Sequence, residues 1–419
     1  MDKVYLCIDL KTFYASVECV ERKLDPFKVD LIVADIERSK NTVCLAISPH
    51  MKERGIRNRC RMWEIPKYVK PIIAKPRMIL YMKYSAKIYK IYLKYISKDD
   101  IHVYSIDEAF LDITNYLNMY KKTPVELAKI IMKDIFDTTG ITATCGIGTN
   151  LYLTKIALDI TAKHVDSHIG YLNEQKFKRE LWHHTPLTDF WGIGTGIENR
   201  LHKLHLKDMY DIAHCDEKKL YKEFGINARL IIDHAKGIET CTIKDIKKYK
   251  PKSKSISNTQ VLFRNYNFKE AKIVLTEMID NLVLELVNYN YCTSNIGFYI
   301  GYSKDEIPSL HFSIKLEQET NSYNKILNIL INEYDYRVNQ IIPIRRIGVF
   351  FNNVFKRKYQ QLDIFATDIL EQKEESIMKT INFLKGKYGK NAVLRGTSYV
   401  KGATQLERNK LVGGHNAEW

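Results

Sequence analysis

The chain has 419 residues, with 65 Lys and Arg against 49 Asp and Glu, so its formal net charge is +16 at pH 7. A hydrophobic content of 45% with only 19 Gly and 10 Pro excludes disorder over most of the chain, and the length predicts about three domains. The basic excess favours a polyanion such as nucleic acid as the partner. No uncharged apolar run approaches the roughly 18 residues of a membrane span, and the eight Cys form no CxxC pair, so we expect a cytoplasmic protein with reduced thiols and no membrane contact.

The N-terminal part of the chain alternates short β-type runs with helical patterns. The predicted strands are 4–8, 102–106 and 142–147, and the predicted helices are 13–20, 84–95, 125–136 and 151–162. A compact, basic region with several X-Pro breaks, 26–76, interrupts this order and is interpreted as an insertion. The pattern predicts a small α+β sheet domain with acids at the ends of two strands.

The second half of the chain divides at a lysine-rich stretch. Residues 182–237 are helical in pattern, and 244–254 then carry six Lys, one Asp and one Pro, which is typical of a solvated linker. A β-α-β-β-α-β order follows, ending near 351, and a last helix is predicted over 374–387.

Three acids form the strongest chemical pattern. Asp9 follows the first strand, and Asp107 with Glu108 follows the second, without Lys or Arg inside either motif. Such carboxylates would repel one another unless a divalent cation shared them, and Mg²⁺ prefers oxygen ligands. Two such ions about 4 Å apart could hold the attacking and leaving oxygens of a phosphoryl transfer. A single acid at a strand end is usually an ordinary turn residue, but the combination favours a metal site.

The segments VYLCIDLKTFYASVE, YSIDEAF and GIGTNLYLTKIALD, in this order, resemble the Y-family translesion DNA polymerases, in particular the UmuC-like, polymerase V type branch of Gram-positive bacteria. The resemblance spans about 1–365 and implies an α+β right-hand polymerase. The implied parts are a palm (1–20 and 75–166), small fingers (21–74), a helical thumb with a helix-hairpin-helix (167–240), a basic linker (241–254), a βαββαβ little finger (255–355) and a tail (356–419).

The resemblance also implies roles for the acids and for the residues after Asp9. Asp9, Asp107 and Glu108 would be the catalytic carboxylates that hold two Mg²⁺, with the Leu10 carbonyl as a backbone ligand. Tyr14 falls at the steric gate, where an aromatic ring leaves no room for a 2′-hydroxyl. Without the resemblance, Tyr14 is equally well a core aromatic of an amphipathic helix. Phe13 packs either in the nucleotide pocket or in the core.

Two lysines match positions that contact the incoming triphosphate in the family. Lys155, in NLYLTKIA, matches the family's triphosphate lysine, and Lys52 falls where many relatives have an arginine. Pro49 replaces the usual Tyr of that region, so the hydroxyl of that Tyr is missing here. Ser48 could supply a hydroxyl instead, although a Ser before Pro is commonly a turn residue.

The sequence WGIGTG, residues 191–196, is interpreted as the hairpin of a helix-hairpin-helix. Gly192, Gly194 and Gly196 would let backbone N–H groups approach a DNA phosphate, although turns also use Gly for their geometry alone. Residues 240–360 carry 18 Lys and Arg against 11 Asp and Glu, as expected of a domain that binds the DNA backbone. Lys252 and Lys254 are the DNA-binding candidates there, with a merely solvated face as the alternative.

A short peptide after the last predicted strand resembles a clamp-binding motif. In the sequence QLDIF, the residues Gln361, Leu362, Ile364 and Phe365 match the peptide by which bacterial polymerases bind the sliding clamp. The alternative is that these apolar residues are buried as ordinary core.

Together these features predict a low-fidelity, DNA-templated DNA polymerase for damage tolerance of the SOS type. Its partners would be primer–template DNA, dNTPs, the sliding clamp (β subunit) and, as in some relatives, an accessory subunit. A non-catalytic, clamp-associated DNA-binding protein that keeps the fold is the rival, and a two-metal nuclease is a third possibility. Analysis of the products separates them, because primers become longer, stay unchanged or become shorter.

Overall fold

The computed structural model describes residues 3–37, 42–304, 307–357 and 368–417. The chain forms two compact units, Met1–Tyr249 and Lys250–Ala417. No helix of the described residues is both long and apolar enough to cross a membrane.

A five-stranded sheet lies at the centre of the first unit. Its strands are, in spatial order, Ile101–Val103, Glu108–Asp112, Tyr5–Leu10, Ala143–Gly148 and Ile169–Leu172. The middle strand, Tyr5–Leu10, is antiparallel to both neighbours. All its residues are buried except Asp9, which is half-buried. A nearly continuous apolar strand is typical of a sheet covered on both faces. Asp9 is the one residue of this strand that is partly accessible to solvent.

Helices cover the sheet and continue the predicted pattern. They are Phe13–Glu21, Met78–Tyr95, Tyr116–Tyr120, Pro124–Thr139 and Leu151–Ile156. The helix predicted over 151–162 changes form after Ile156, where Ala157–Thr161 is a π-helical turn and Ala162–His164 a 3₁₀ turn. This helix packs directly on the strand backbone, because a Cβ at Gly146 would lie 2.2 Å from the Thr154 carbonyl oxygen.

The inserted region carries a small sheet of its own. Its strands lie in the order Ala46–Ile47, Leu31–Val33 and Ile72–Ala74, with the helix Pro49–Glu53 and the 3₁₀ turn Met62–Glu64. The buried residues of this region form a separate cluster: Ile32, Ala34, Cys44, Ile47, Met51, Cys60 and Val69. The region therefore has its own core beside the central sheet.

A group of short helices follows the central sheet. They are Glu174–Leu181, Thr195–Lys203, Met209–His214, Glu217–Phe224 and Asn227–Ala235, with a 3₁₀ turn at Leu187–Asp189. One boundary differs from the prediction. Ile169–Leu172, inside the predicted thumb 167–240, is a strand of the central sheet and pairs in parallel with Ala143–Gly148.

The predicted linker 241–254 is largely ordered secondary structure. Ile243–Lys248 is a helix whose start is fixed by reciprocal hydrogen bonds between Thr242 and Asp245. Ile243 is buried in a cluster with Tyr5 and Phe110 of the central sheet. The lysine count hid the apolar residues on the opposite side of this helix, which explains the error. Lys254 already belongs to the first strand of the second unit.

The second unit has the predicted β-α-β-β-α-β order. Its elements are Lys254–Tyr266, Phe268–Asn288, Tyr291–Tyr302, Leu310–Thr320, Tyr323–Arg337 and Ile344–Lys356. The spatial order of the strands puts Leu310–Thr320 at one edge and Lys254–Tyr266 at the other. The two helices bury their apolar residues against the sheet in one continuous core.

The C-terminal segment is part of this second unit. It holds the helix Asp368–Tyr388, the turns Gly396–Tyr399 and Gln405–Arg408, and a hairpin of Leu411–Val412 and His415–Asn416. The helix Asp368–Tyr388 contains the helix predicted over 374–387. Residues after 390, in the predicted tail 356–419, pack on the helix Phe268–Asn288.

Candidate functional site

The three predicted acids lie together at one end of the central sheet. Asp9 and Glu108 are directly opposite each other in the antiparallel pair formed by their strands. The N–H of Leu10 donates a hydrogen bond to the Asp107 carbonyl at 3.0 Å, which fixes Asp107 beside the end of the same strand. The sheet thus brings together the acids that are about a hundred positions apart in sequence.

A tight turn, residues 104–108, presents Asp107 and is called the carboxylate loop below. The N–H groups of Tyr104 and Ser105 both donate to the Glu108 carbonyl, at 2.9 and 3.1 Å. The Ser105 hydroxyl donates to the Asp107 carboxylate at 2.6 Å. These bonds hold the Asp107 carboxylate in one orientation.

The electrostatic environment of Asp9 shows how strongly negative this end of the sheet is. Burial is the main cause that raises the pKa of Asp9 to about 7; the negative charges of Asp107 and Glu108 act in the same direction, while Lys163 and Lys155 oppose them. A group of partly desolvated carboxylates of this kind is stabilised by any cation that reaches it.

Lys155 is the cation that pairs with Glu108. Its ammonium lies 2.8 and 2.9 Å from the two Glu108 carboxylate oxygens and 3.1 Å from Asp159. Burial alone would lower the pKa of Lys155, but Asp159 and Glu108 outweigh it and hold the pKa above its usual value. The thiol of Cys7 also donates to Glu108, at 3.1 Å. The ammonium of Lys155 therefore neutralises the carboxylate of Glu108.

Because Glu108 faces Lys155, the three acids do not converge on a point. Among the described residues, no group of three His, Cys, Asp or Glu side chains is arranged to hold a metal ion. The donor set still suits a hard divalent cation, since three carboxylates at one sheet end offer only oxygen ligands. Glu108 would have to exchange Lys155 for the ion.

Tyr14 and Phe13 occupy different environments at the start of the helix Phe13–Glu21. Phe13 is 2% exposed and is buried in the core, and its packing against a nucleotide stays a prediction. Tyr14 is half-buried, with its ring centroid 4.8 Å from that of Tyr81. Burial raises the pKa of Tyr14, Asp107 raises it further and Arg59 opposes both. The Tyr14 hydroxyl is therefore within range of electrostatic interaction with Asp107 and Arg59.

Ser48 and Lys52, the two nucleotide-binding residues predicted in the inserted region, lie in different environments. Ser48 is fully buried, and its hydroxyl donates to the Val29 carbonyl at 2.7 Å and accepts from the Leu31 N–H at 3.2 Å. The structure contradicts the predicted nucleotide contact of Ser48, because this hydroxyl ties together the local sheet. Burial lowers the pKa of Lys52, Lys163 and Lys11 add to this effect, and the negative charge of Asp9 opposes it.

Several basic residues near the acids were missed by the sequence analysis. Lys163 pairs with Asp159 at 2.7 Å, and Lys11 and Arg59 act on the pKa values of Lys52 and Tyr14. The spacing of Lys155, Asp159 and Lys163, four residues apart, was the available signal, since such residues share one side of a helix. Lys11 and Arg59 carry no comparable pattern.

The glycine hairpin, residues 191–196, has the geometry of an exposed backbone surface. Gly192 adopts φ +91°, a conformation that L side chains rarely adopt, and Gly192, Gly194 and Gly196 have no atom within 4 Å of the position of an added Cβ. The helix Thr195–Lys203 begins inside this hairpin. Open space above backbone N–H groups at a helix start suits a phosphate.

The remaining candidates lie in the second unit. Lys252 is exposed, and the Lys254 ammonium lies 5.4 Å from the centroid of the Tyr291 ring. The predicted clamp-binding residues, Gln361, Leu362, Ile364 and Phe365, lie outside the described residues.

Comparison with known proteins decides the family. The impB/mucB/samB family model matches residues 8–159, and the model of the C-terminal domain of that family matches residues 253–364. UvrX of Bacillus subtilis strain 168, named for UV-damage repair, is 32% identical over 418 residues, 99% of this chain and 98% of UvrX. DNA polymerase IV 2 of the same organism is 29% identical and covers 99% of both chains.

The fold comparison agrees with the sequence comparison. The solved structure of a Y-family DNA polymerase chimera of Dbh and Dpo4 superposes with a TM-score of 0.65, at 23% identity, over 84% of this chain and 100% of that chain. The chain belongs to the Y family of DNA polymerases. The predicted family and the predicted right-hand fold class are therefore confirmed.

The family match covers the two regions that contain most of the site. This Y-family chain has Asp9, Asp107, Glu108 and Lys155 inside the first matched region and Lys254 inside the second. Residues 368–417 lie beyond both matched regions, although UvrX is similar over nearly its whole length.

Proposed function

We propose that the chain is a DNA-templated DNA polymerase of low fidelity that inserts nucleotides opposite and past damaged template bases. The observation that supports it most directly is the group of three acids at one sheet end, surrounded by basic side chains, in a Y-family fold. DNA template and nucleotides are the substrates of this family. The same arrangement supports the use of a divalent metal.

Asp9, Asp107 and Glu108, with the Leu10 carbonyl, would hold two Mg²⁺. When bound, these ions lower the pKa of the primer 3′-hydroxyl and neutralise the charge on the leaving pyrophosphate. The chain itself supplies the position of the donors, because the strand pairing places Asp9 opposite Glu108 and the Leu10 N–H holds Asp107.

Lys155 has two roles in this proposal. Lys155 neutralises the Glu108 carboxylate in this structure. If Glu108 held a metal ion instead, the Lys155 ammonium would be available to bind the triphosphate. Lys52, Lys163, Lys11 and Arg59 add positive charge to the same region and attract the tetra-anionic nucleotide. Tyr14 would stack under the sugar and exclude a 2′-hydroxyl.

The proposed partners are primer–template DNA, the sliding clamp and an accessory subunit. The glycine hairpin and Lys252 and Lys254 would bind primer–template phosphates without reading the base sequence. Gln361, Leu362, Ile364 and Phe365 would bind the sliding clamp, and an accessory subunit is a further partner of the proposal. The expected location is the cytoplasm, where chromosomal DNA and reduced thiols occur together.

Primer extension on an undamaged and a lesion-bearing template tests this function. The wild-type chain is expected to lengthen the primer with dNTPs and Mg²⁺, also past the lesion, and the double variant D107A/E108A to lose extension at least a thousandfold, on the order expected when the metal ligands are removed. The matched control is D99A/D100A, two adjacent acids of the turn Lys98–Asp100, of which Asp99 is exposed and Asp100 is half-buried. Unchanged extension by D107A/E108A would refute the mechanism, and shortened primers would identify a nuclease.

A further inference from the structure

Trp191, the first residue of the glycine hairpin, contacts the carboxylate loop. Its indole Nε1–H donates a hydrogen bond to the Tyr104 hydroxyl at 3.2 Å. The two rings meet edge to face, with centroids 5.9 Å apart at 83°, and the Phe110 ring lies 6.4 Å from the indole. Tyr104 stays 46% exposed, so this contact does not follow from packing in a deep core.

Tyr104 belongs to the loop that carries Asp107. Its N–H donates to the Glu108 carbonyl at 2.9 Å, and its ring centroid lies 5.9 Å from the Lys155 ammonium. A cation at this distance over an aromatic face is weakly attracted to it. Tyr104 is thus linked to the carboxylate loop through its backbone and to Lys155 through its ring.

A second set of ring contacts connects the Trp191 indole to the helix Leu151–Ile156, which contains Lys155. The Trp191 and His234 rings are nearly parallel, 19° apart, with centroids 6.5 Å from each other. His234 stacks on Tyr152 at 3.9 Å and is held by Glu239 at 3.0 Å. Tyr152 lies in the helix Leu151–Ile156, three residues before Lys155. Two separate sets of contacts thus join the hairpin to the acids.

We infer that Tyr104 and Trp191 form a clasp that fixes the position of the glycine hairpin relative to the three acids. The inference rests on the proposed function. If the hairpin holds DNA phosphates and the acids hold the primer terminus, both positions belong to one DNA molecule and their separation must match it. A misplacement of about 1 Å between reacting groups is enough to cost a large factor in rate. Tyr104 and Trp191 are positioning residues in this scheme.

A double-mutant cycle tests the clasp. Tyr104→Phe and Trp191→Phe each remove one partner of the hydrogen bond and keep an aromatic ring. Each is expected to lower kcat for single-nucleotide insertion by about three- to tenfold, the range of one missing hydrogen bond, and the double variant is expected to be no slower than the slower single variant. The dissociation constant for primer–template and the melting temperature should stay near wild type, because the phosphate contacts and the core remain.

Tyr116→Phe is the matched control. It removes a hydroxyl that donates to Asp100 at 2.7 Å in the same unit, away from the acids, so kcat should not change. Single variants with wild-type kcat, additive effects in the double variant, or an equal loss in the control would overturn the inference.

Hydrogen exchange gives a readout that does not depend on catalysis. The N–H groups of Tyr104 and Ser105 should exchange faster in Trp191→Phe than in the wild type, and primer–template should slow this exchange in the wild type but not in the variant. If the wild type fails to extend primers, the proposed function fails while this measurement still decides the clasp. Equal exchange in both proteins, with and without DNA, would overturn it.

Discussion

At the residue scale, Tyr14 is held by a chain of contacts that starts in the core. Its ring packs on Tyr81, and the Tyr81 hydroxyl donates to the Glu18 carboxylate at 2.7 Å. Glu18 is fully buried and receives two further hydrogen bonds from Arg77, at 2.7 and 3.0 Å. The position of the Tyr14 ring thus depends on a buried ionic network.

Tyr14→Ala should relax the choice between dNTPs and rNTPs. Removing the ring opens space for a 2′-hydroxyl, and the ratio of kcat/KM for a dNTP to that for the matching rNTP should fall on the order of tenfold or more. Single-nucleotide insertion kinetics measure the ratio. Tyr68→Ala, which removes a Tyr that is 77% exposed, is the control. An unchanged ratio in Tyr14→Ala would remove Tyr14 from the role of steric gate.

Glu18→Gln should destabilise the first unit in a pH-dependent way. Burial alone would raise the pKa of Glu18, but hydrogen bonds from Arg77, Tyr81 and Arg22 outweigh it and lower the pKa below the usual 4.5. The carboxylate therefore stabilises the fold above pH 4.5, and this contribution is lost as the pH falls through the lowered pKa. We expect a loss of about 3 kcal/mol in Glu18→Gln near pH 7, because a buried ion pair loses its anion.

Denaturant unfolding at several pH values measures the effect. The difference between wild type and Glu18→Gln should shrink below pH 4.5, while the exposed neighbour Glu21→Gln should differ little from wild type at any pH. A gap that stays constant with pH would contradict the ionised state of Glu18.

The same scale shows what the sequence could predict about the site. Asp9, Asp107 and Glu108 could be found because acids at strand ends leave a pattern, and the structure places them at the same end of the central sheet. The pairing of Lys155 with Glu108 could not be found, because it depends on how a helix packs on a strand through Gly146. The nucleotide contact predicted for Ser48 was wrong for a similar reason, since the partners of its hydroxyl are the backbone groups of Val29 and Leu31, which are distant in sequence.

At the scale of elements, periodic apolar patterns predicted the helices and strands of the second unit well. Two elements of the first unit were predicted wrongly because their secondary structure depends on contacts that the local composition does not indicate. The helix Ile243–Lys248 was hidden by its lysines, and the strand Ile169–Leu172 is set by pairing with a distant strand. Both depend on contacts with the central sheet that a local pattern does not contain.

The C-terminal segment is held on the helix Phe268–Asn288 by one buried acid. The Glu277 carboxylate accepts hydrogen bonds from the N–H groups of Thr404 and Gln405, at 2.9 and 3.2 Å, and lies 3.7 Å from the Arg408 guanidinium. Its side chain is fully buried, so every one of these bonds forms away from water. Bonds of this kind are costly to leave unmade.

Glu277→Ala should release this segment. The Arg408 guanidinium would lose its anion and two N–H groups their acceptor, which costs on the order of 3 kcal/mol or more. Limited proteolysis should then cleave the chain between 390 and 417, and the melting temperature should fall. Glu285→Ala, on an exposed position of the same helix, should remain resistant. Equal resistance of Glu277→Ala would show that the other contacts of the segment suffice.

At the scale of the whole molecule, net charge and individual phosphate contacts contribute to DNA binding in different ways. The net charge of +16 attracts any polyanion, but counterion release depends on how many phosphates the side chains contact. A surface lysine that pairs with an acid contributes to the net charge, but we expect it to contact no DNA phosphate. The salt dependence of DNA binding can therefore distinguish lysines that contact DNA phosphates from lysines that pair with acids.

The double variant K252Q/K254Q should reduce the salt dependence of DNA binding. If both lysines bind phosphates, the slope of log K against log [salt] should become smaller in magnitude by about 0.9 for each phosphate that is no longer neutralised, equally for unrelated DNA sequences. Fluorescence anisotropy across a salt series measures this slope. The charge-matched control is K133Q/K410Q, whose lysines pair with Asp137 and Glu407. If the control changes the slope as much as K252Q/K254Q, the effect comes from net charge, and Lys252 and Lys254 do not bind phosphates specifically.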